Sequence, residues 1–112
     1  MIVYRVKLLS GIVNCAKFRA RNPHEITGSC FYVGSTALPV LDRLYRHFIG
    51  GLGGNHIIAM WSGCEDHHEA AVNCFVVQET ASREMAEAME RRYSDGLRRN
   101  GHGVWTNVKE RR

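Results

Sequence analysis

Arg43 and His47 stand four residues apart in RLYRH, which on a helix places a guanidinium and an imidazole one turn from each other. That pair could present a fixed cation and a group that exchanges protons near neutral pH to a single groove. Glu90 lies one position beyond Met89, with Ala86 one turn before it, at the edge of an apolar helical stripe. A carboxylate at such an edge suits a hard divalent cation, with water filling the remaining coordination positions. Two phenols, Tyr4 and Tyr32, sit in strand-like runs. A phenol titrates near ~10 in water and acts as a base at neutral pH only where a nearby cation stabilises its phenolate. Each of these residues also has an ordinary structural explanation. Tyr4 and Tyr32 fit core tyrosines, Arg43 and His47 fit a helix surface, and Glu90 could pair with Arg91 or Arg92. A second set, Cys64, His67, His68 and Cys74, falls within eleven residues and would favour zinc. Its spacing matches no zinc module, and Cys74 in an apolar run reads as a buried thiol.

The elements that must position these groups follow from periodicity. Ile2, Tyr4, Val6 and Leu8 alternate with Val3, Arg5 and Lys7, which predicts a half-buried strand over residues 2–9. Residues 10–28 are polar and basic without a period, contain Asn22-Pro23 and Gly28, and read as a long loop or insertion. SCFYVGS (29–35) predicts a second strand, with Gly34 freeing the backbone to turn or approach a ligand. Pro39 opens a helix over about 38–49, in which Leu41, Leu44, Tyr45 and Phe48 form the apolar stripe and Arg43 and His47 lie beside it. A Gly50–Gly54 breaker follows, then the ambiguous run NHIIAMWS (55–62) and an acidic cluster, 65–69, read as an exposed loop. AAVNCFVVQ (70–78) predicts a third strand. From Thr80 or Ser82 as N-cap, a helix carries Met85, Met89, Tyr93 and Leu97 and ends near Asn100-Gly101. The expected fold is α/β (α+β): one domain over 1–112, with a three-stranded, mainly antiparallel sheet flanked by helices and a basic tail at 108–112.

The chain has 112 residues, 45% apolar and 23% charged, which excludes a disordered tail, a collagen-like fibre and a coiled coil. Its net charge of +4 is segregated. Residues 1–50 carry seven basic and two acidic groups, 51–90 one basic and seven acidic, and 91–112 seven basic and two acidic. The basic ends favour an anionic partner. Nothing approaches the ~20 apolar residues of a membrane span, and charges interrupt the N-terminal apolar run, so a cytoplasmic address with free thiols is expected.

IVY at 2–4, FYVG at 31–34, the Arg–His pair of RLYRH and the Ala86-to-Glu90 spacing in SREMAEAMERRY (82–93) together resemble the GIY-YIG nuclease superfamily. The likeness runs from residue 2 to about 107. It departs where Ile2 replaces the first motif's glycine, Val3 its isoleucine and Val33 the isoleucine of the second motif, and where the segment between the tyrosines is long. The loop before Arg43 is also one residue longer than the family's.

The resemblance implies a metal-dependent endonuclease acting on DNA, with RNA as a further possible substrate, Mg²⁺ or Mn²⁺ as cofactor, and one site built from Tyr4, Tyr32, Arg43, His47 and Glu90. By position Tyr4 would take a proton from the attacking water and Arg43 would stabilise charge on the phosphorus. Tyr32 and His47 would position water and phosphate or relay the proton, while the metal on Glu90 would stabilise the leaving 3′ oxygen. Asn107 matches an asparagine that many members carry after the last helix. Lys17, Arg19 and Arg21 on the insertion and Arg91, Arg92, Arg98 and Arg99 on the last helix are candidates for tracking phosphates. Phe18 and Trp105 are the aromatics placed to stack on bases, and Arg91 with Asp95 reads as a helix pair. In so small a chain, target choice would lie in residues 10–28, in a homodimer or in an accessory protein. The alternative is a nucleic-acid-binding or structural module of the same fold without useful turnover.

Overall fold

A computed structural model describes residues 1–49 and 56–106. The glycine breaker at 50–54, Asn107 and the basic tail at 108–112 therefore lie outside the described residues. Four strands form one sheet in the order β3-β1-β2-β4: β1 Ile2–Leu8, β2 Cys30–Thr36, β3 Cys74–Glu79 and β4 Gly103–Thr106. β1 runs antiparallel to both neighbours, and β4 runs parallel to β2, so the sheet has one strand more than the sequence pattern suggested. The fourth strand is only four residues, GVWT, too short to show a period of its own.

The sheet is covered on both faces. Tyr4, Val6, Leu8, Cys30 and Tyr32 pack with Leu44 and Ile58 on one side; Val3, Phe31, Val33 and Val104 pack with Ala86 and Leu97 on the other. Helices α2 (Val40–Ile49), α3 (His56–Trp61) and α4 (His67–Val72) belong to the first side, and α5 (Arg83–Arg99) to the second. β1 is thus buried on both faces at Val3 and Tyr4 and half-buried only toward Arg5 and Lys7.

The stretch 10–28 is not a long loop. It folds into a 3-10 turn, Ser10–Asn14, and a short helix, α1 (Ala16–Arg21), with Ile12 and Phe18 fully buried. Asn22 then acts as a strand partner for β4. Its Nδ2 donates to the carbonyls of Phe18 and Val104 at 2.8 and 3.0 Å, while its Oδ1 accepts from Val104 N–H and Arg98 Nε at 2.8 and 3.1 Å. This amide satisfies backbone groups that the edge of β4 would otherwise leave open.

The acidic cluster is likewise a helix. Asp66 caps α4 by accepting from Glu69 N–H, and the Glu69 carboxylate reaches back to Glu65 N–H, a relative of the capping box. Residues 70–72 belong to that helix, and β3 begins at Cys74. Ser82 is the N-cap of α5, its hydroxyl accepting from Met85 N–H at 3.2 Å. No helix among the described residues is long and apolar enough to cross a membrane.

Candidate active site

Tyr4 lies opposite Gly34 in the β1–β2 ladder, and Tyr32 lies opposite Val6, so both phenols emerge on the face that α2 covers. A Cβ on Gly34 would come within 2.8 Å of the Tyr32 ring and 3.1 Å of the Tyr4 hydroxyl. The glycine of FYVG is therefore space for two tyrosine rings rather than a turn.

α2 sits on these rings through Leu44 and His47, both fully buried, while Leu41 and Tyr45 are exposed at 41% and 47%. The helix is rotated from the orientation its apolar residues suggest. Its inner face runs Val40, Arg43, Leu44, His47, Phe48, and two of those five positions are polar. The reason is on β1: Tyr4 Oη lies 2.9 Å from His47 Nε2, a hydrogen bond whose direction follows the imidazole tautomer. The Tyr32 ring meets His47 edge-on at a centroid separation of 5.4 Å and the Tyr4 ring at 6.2 Å. Arg43 lies close enough to the Tyr4 phenol to act on its titration.

Burial raises the Tyr4 phenol well above its ordinary range and the neighbouring Tyr32 adds to this, with Arg43 pulling partly the other way. Tyr4 is accordingly neutral at pH 7. Tyr4 and His47 are 0% exposed and Tyr32 is 2% exposed.

Glu90 approaches from the other layer. It lies on the buried line Ala86, Glu90, Ser94, Leu97 of α5, so it occupies the centre of that helix's inner face, whereas Met85, on the expected stripe, is 53% exposed. Thr106 Oγ1 donates to Glu90 Oε2 at 3.2 Å, and the Ser35 hydroxyl lies near the same carboxylate and favours its charged form. Burial pushes the Glu90 carboxyl up; the two hydroxyls and, more weakly, Arg91 pull it down, and Glu87 one turn earlier pushes it up again. The structure thus brings Tyr4, Tyr32, Arg43 and His47 together on one face and sets Glu90 on the opposite face. Ser35, at the end of β2, lies near Glu90 and shares an open cleft with Arg43 and Glu87.

Glu90, Glu87, Ser35 and Thr106 offer only hard oxygen atoms, the donor type that Mg²⁺ or Mn²⁺ takes; Glu90 is 3% exposed, and of the four only Ser35 and Glu87 line the open cleft. Among the described residues no three His, Cys, Asp or Glu side chains are grouped to hold a metal ion. A single carboxylate completed by water is a coordination that Mg²⁺ accepts. In the Cys/His stretch, Cys64 Sγ donates to the Ser62 carbonyl, the His67 and His68 rings lie 4.1 Å apart at a tilt of 35°, and burial pushes the Cys74 thiol up to about 11.

The basic candidates divide. Lys17 is exposed on α1. Arg19 donates to the Val13 and Asn14 carbonyls, and Arg21 donates to Lys17 O while its guanidinium lies 3.7 Å from the Trp105 ring centroid. Arg91 is half-buried beside Glu90. Arg98 is held in the fold by Asn22, by the Val104 carbonyl and by Asp95, which pairs with Arg98 at 3.9 Å and not with Arg91. Phe18 is fully buried and Trp105 is 8% exposed, so both belong to the core and neither offers a free face for a base. The residues sequence reasoning missed are Ser35 and Thr106, small hydroxyls with no pattern of their own, and Glu87, one turn from Glu90.

No protein-family model, curated protein or solved structure matches this chain.

Proposed function

We propose that the chain is a divalent-metal-dependent endonuclease that hydrolyses nucleic-acid phosphodiester bonds, DNA before RNA. The observation that carries this reading is the Tyr4–His47 hydrogen bond of 2.9 Å with Arg43 near the same phenol, inside a helix–sheet interface that could have been wholly apolar. Buried titratable groups with shifted pKa values cluster at functional sites, which supports this reading.

A neutral phenol cannot be a strong base, so Tyr4 is best used as a relay. As the attacking water gives a proton to Tyr4 Oη, the phenol's own proton passes to His47 Nε2, and no free phenolate forms. The water oxygen forms the new bond to phosphorus and the bond to the 3′ oxygen breaks. Arg43 faces the charge that grows on the phosphoryl oxygens, and its planar fork suits that geometry. Tyr32 packs against His47 and fixes the plane of its ring. Glu90, with Ser35 and Thr106, would hold the Mg²⁺ or Mn²⁺, which when bound supplies Lewis-acid stabilisation of the leaving oxygen.

One observation favours a second reading, a binding module without turnover: Tyr4 and His47 are 0% exposed, so water must gain access to the phenol when substrate binds. A cleavage assay separates the two. Branched, duplex and single-stranded DNA and single-stranded RNA are incubated with wild type and Glu90→Ala in Mg²⁺, Mn²⁺ or EDTA. Cleavage by wild type that needs the cation and drops at least ~100-fold in the variant supports the nuclease. Binding with equal, negligible turnover in both supports the module.

A further inference from the structure

We infer that Arg83 supplies a second phosphate contact beside Arg43, so that the cleft they share is a subsite for the nucleic-acid backbone next to the scissile bond. This rests on the proposed phosphodiester chemistry for the identity of the ligand. The cleft, about 420 Å³, opens at the C-terminal end of β2 over Ser35 and Thr36. Arg43 reaches it from α2 and Arg83 and Glu87 from α5, helices on opposite faces of the sheet. Two arginines therefore line one opening from two layers, and one of them acts electrostatically on the Tyr4 phenol.

Three further observations separate Arg83 from a solvated helix charge. It makes no hydrogen bond or ion pair among the described residues, in contrast to Arg19, Arg21 and Arg98, whose donors are occupied within the fold. It is the one basic residue among positions 51–90, a stretch with seven acids. It also leaves the cleft with two positive groups against Glu87 alone among the charged side chains that line it. A cavity of this size falls in the ~300–1,000 Å³ range of small-molecule sites, larger than one oxyanion requires and suited to a phosphate with part of its nucleotide. Arginine recognises such oxygens with paired donors, and lysine matches only the charge.

The test is binding of a fluorescent single-stranded 12-mer and its duplex to the full chain in EDTA, across a salt series, for wild type, Arg83→Ala and Arg83→Lys. Arg83 is exposed at the first turn of α5, and equal thermal melting verifies that the variants fold. Arg83→Ala is expected to weaken binding roughly tenfold near 0.1 M salt and to reduce the slope of log affinity against log salt by about 1. Arg83→Lys should restore the slope and only part of the affinity. In the cleavage assay the alanine variant raises KM and leaves kcat within about twofold. Unchanged affinity and slope overturn the inference, as does a wild type that binds neither oligonucleotide or binds inorganic phosphate alone. Arg83-dependent binding without any cleavage keeps this subsite and removes the nuclease; cleavage indifferent to Arg83 does the reverse.

Discussion

Tyr4 is held in place by its neighbours: Gly34 leaves room for its hydroxyl, His47 bonds it, and Arg43 lies near it. Because a Cβ at position 34 would meet both the Tyr32 ring and the Tyr4 hydroxyl, Gly34→Ala must displace one phenol. Overpacking of this kind costs about 1–3 kcal/mol, and the variant should lose most cleavage activity while still folding; denaturant titration beside the activity assay measures both. Glu90 carries a different signature. Its carboxyl is raised by burial, so the folded chain holds this proton more tightly than the unfolded chain does. Below about pH 4.3 both forms are protonated and the group contributes nothing. As pH climbs from there through the raised folded value, the unfolded form releases its proton first, and stability is lost. Glu90→Gln removes that loss. Its stability relative to wild type, from urea titrations in EDTA, should therefore grow as pH rises from about 4.3 and then level off. A constant difference across that window contradicts the buried-carboxylate account.

The two long helices share one lesson. In both, the apolar residues visible in the sequence mark one side of the inner face, and polar residues hold its centre: Arg43 and His47 in α2, Glu90 and Ser94 in α5. Leu41, Tyr45, Ile49 and Met85 are left exposed as a result. A helix rotated toward its apolar stripe would bury more hydrocarbon. The inner faces of these helices carry groups bonded across the interface instead, His47 to Tyr4 and Glu90 to Thr106. Periodicity therefore located both helices and missed their rotation, because it gives no weight to a buried histidine or glutamate with a partner across the interface. Strands β1 and β2 were legible from alternation and aromatic content, and so were Tyr4 and Tyr32 within them. α1 and β4 were not, being six and four residues long. Their stability comes from tertiary contacts, above all Asn22. Asn22→Ala strips Val104 N–H and Arg98 of an acceptor and should cost about 2–4 kcal/mol in denaturant titrations. A cost under about 0.5 kcal/mol would mean that β4 does not need this amide.

Across the whole molecule, the sheet keeps the candidate residues on separate faces, and of them Arg43 alone lines the cleft at the end of β2. The phenols, imidazole and Arg43 lie under α2, the carboxylate lies under α5, and the cleft at the end of β2 is where Arg43 and Ser35 meet solvent. The segregated charge of the chain has a partial counterpart in this layout. Arg43 comes from the basic first half, Glu87 and Glu90 from the acidic middle, and Arg98 from the basic end serves the fold itself. The account's central claim is that the Tyr4 hydroxyl carries a proton during phosphodiester hydrolysis. The most direct measurement is the single-turnover cleavage rate of Tyr4→Phe against wild type, at saturating protein and Mg²⁺, with thermal melting recorded on both. Phenylalanine keeps the ring packing and removes one oxygen. The account predicts a rate at least ~100-fold lower, with substrate affinity unchanged, as loss of a general acid–base group requires. A Tyr4→Phe rate within about twofold of wild type would contradict it.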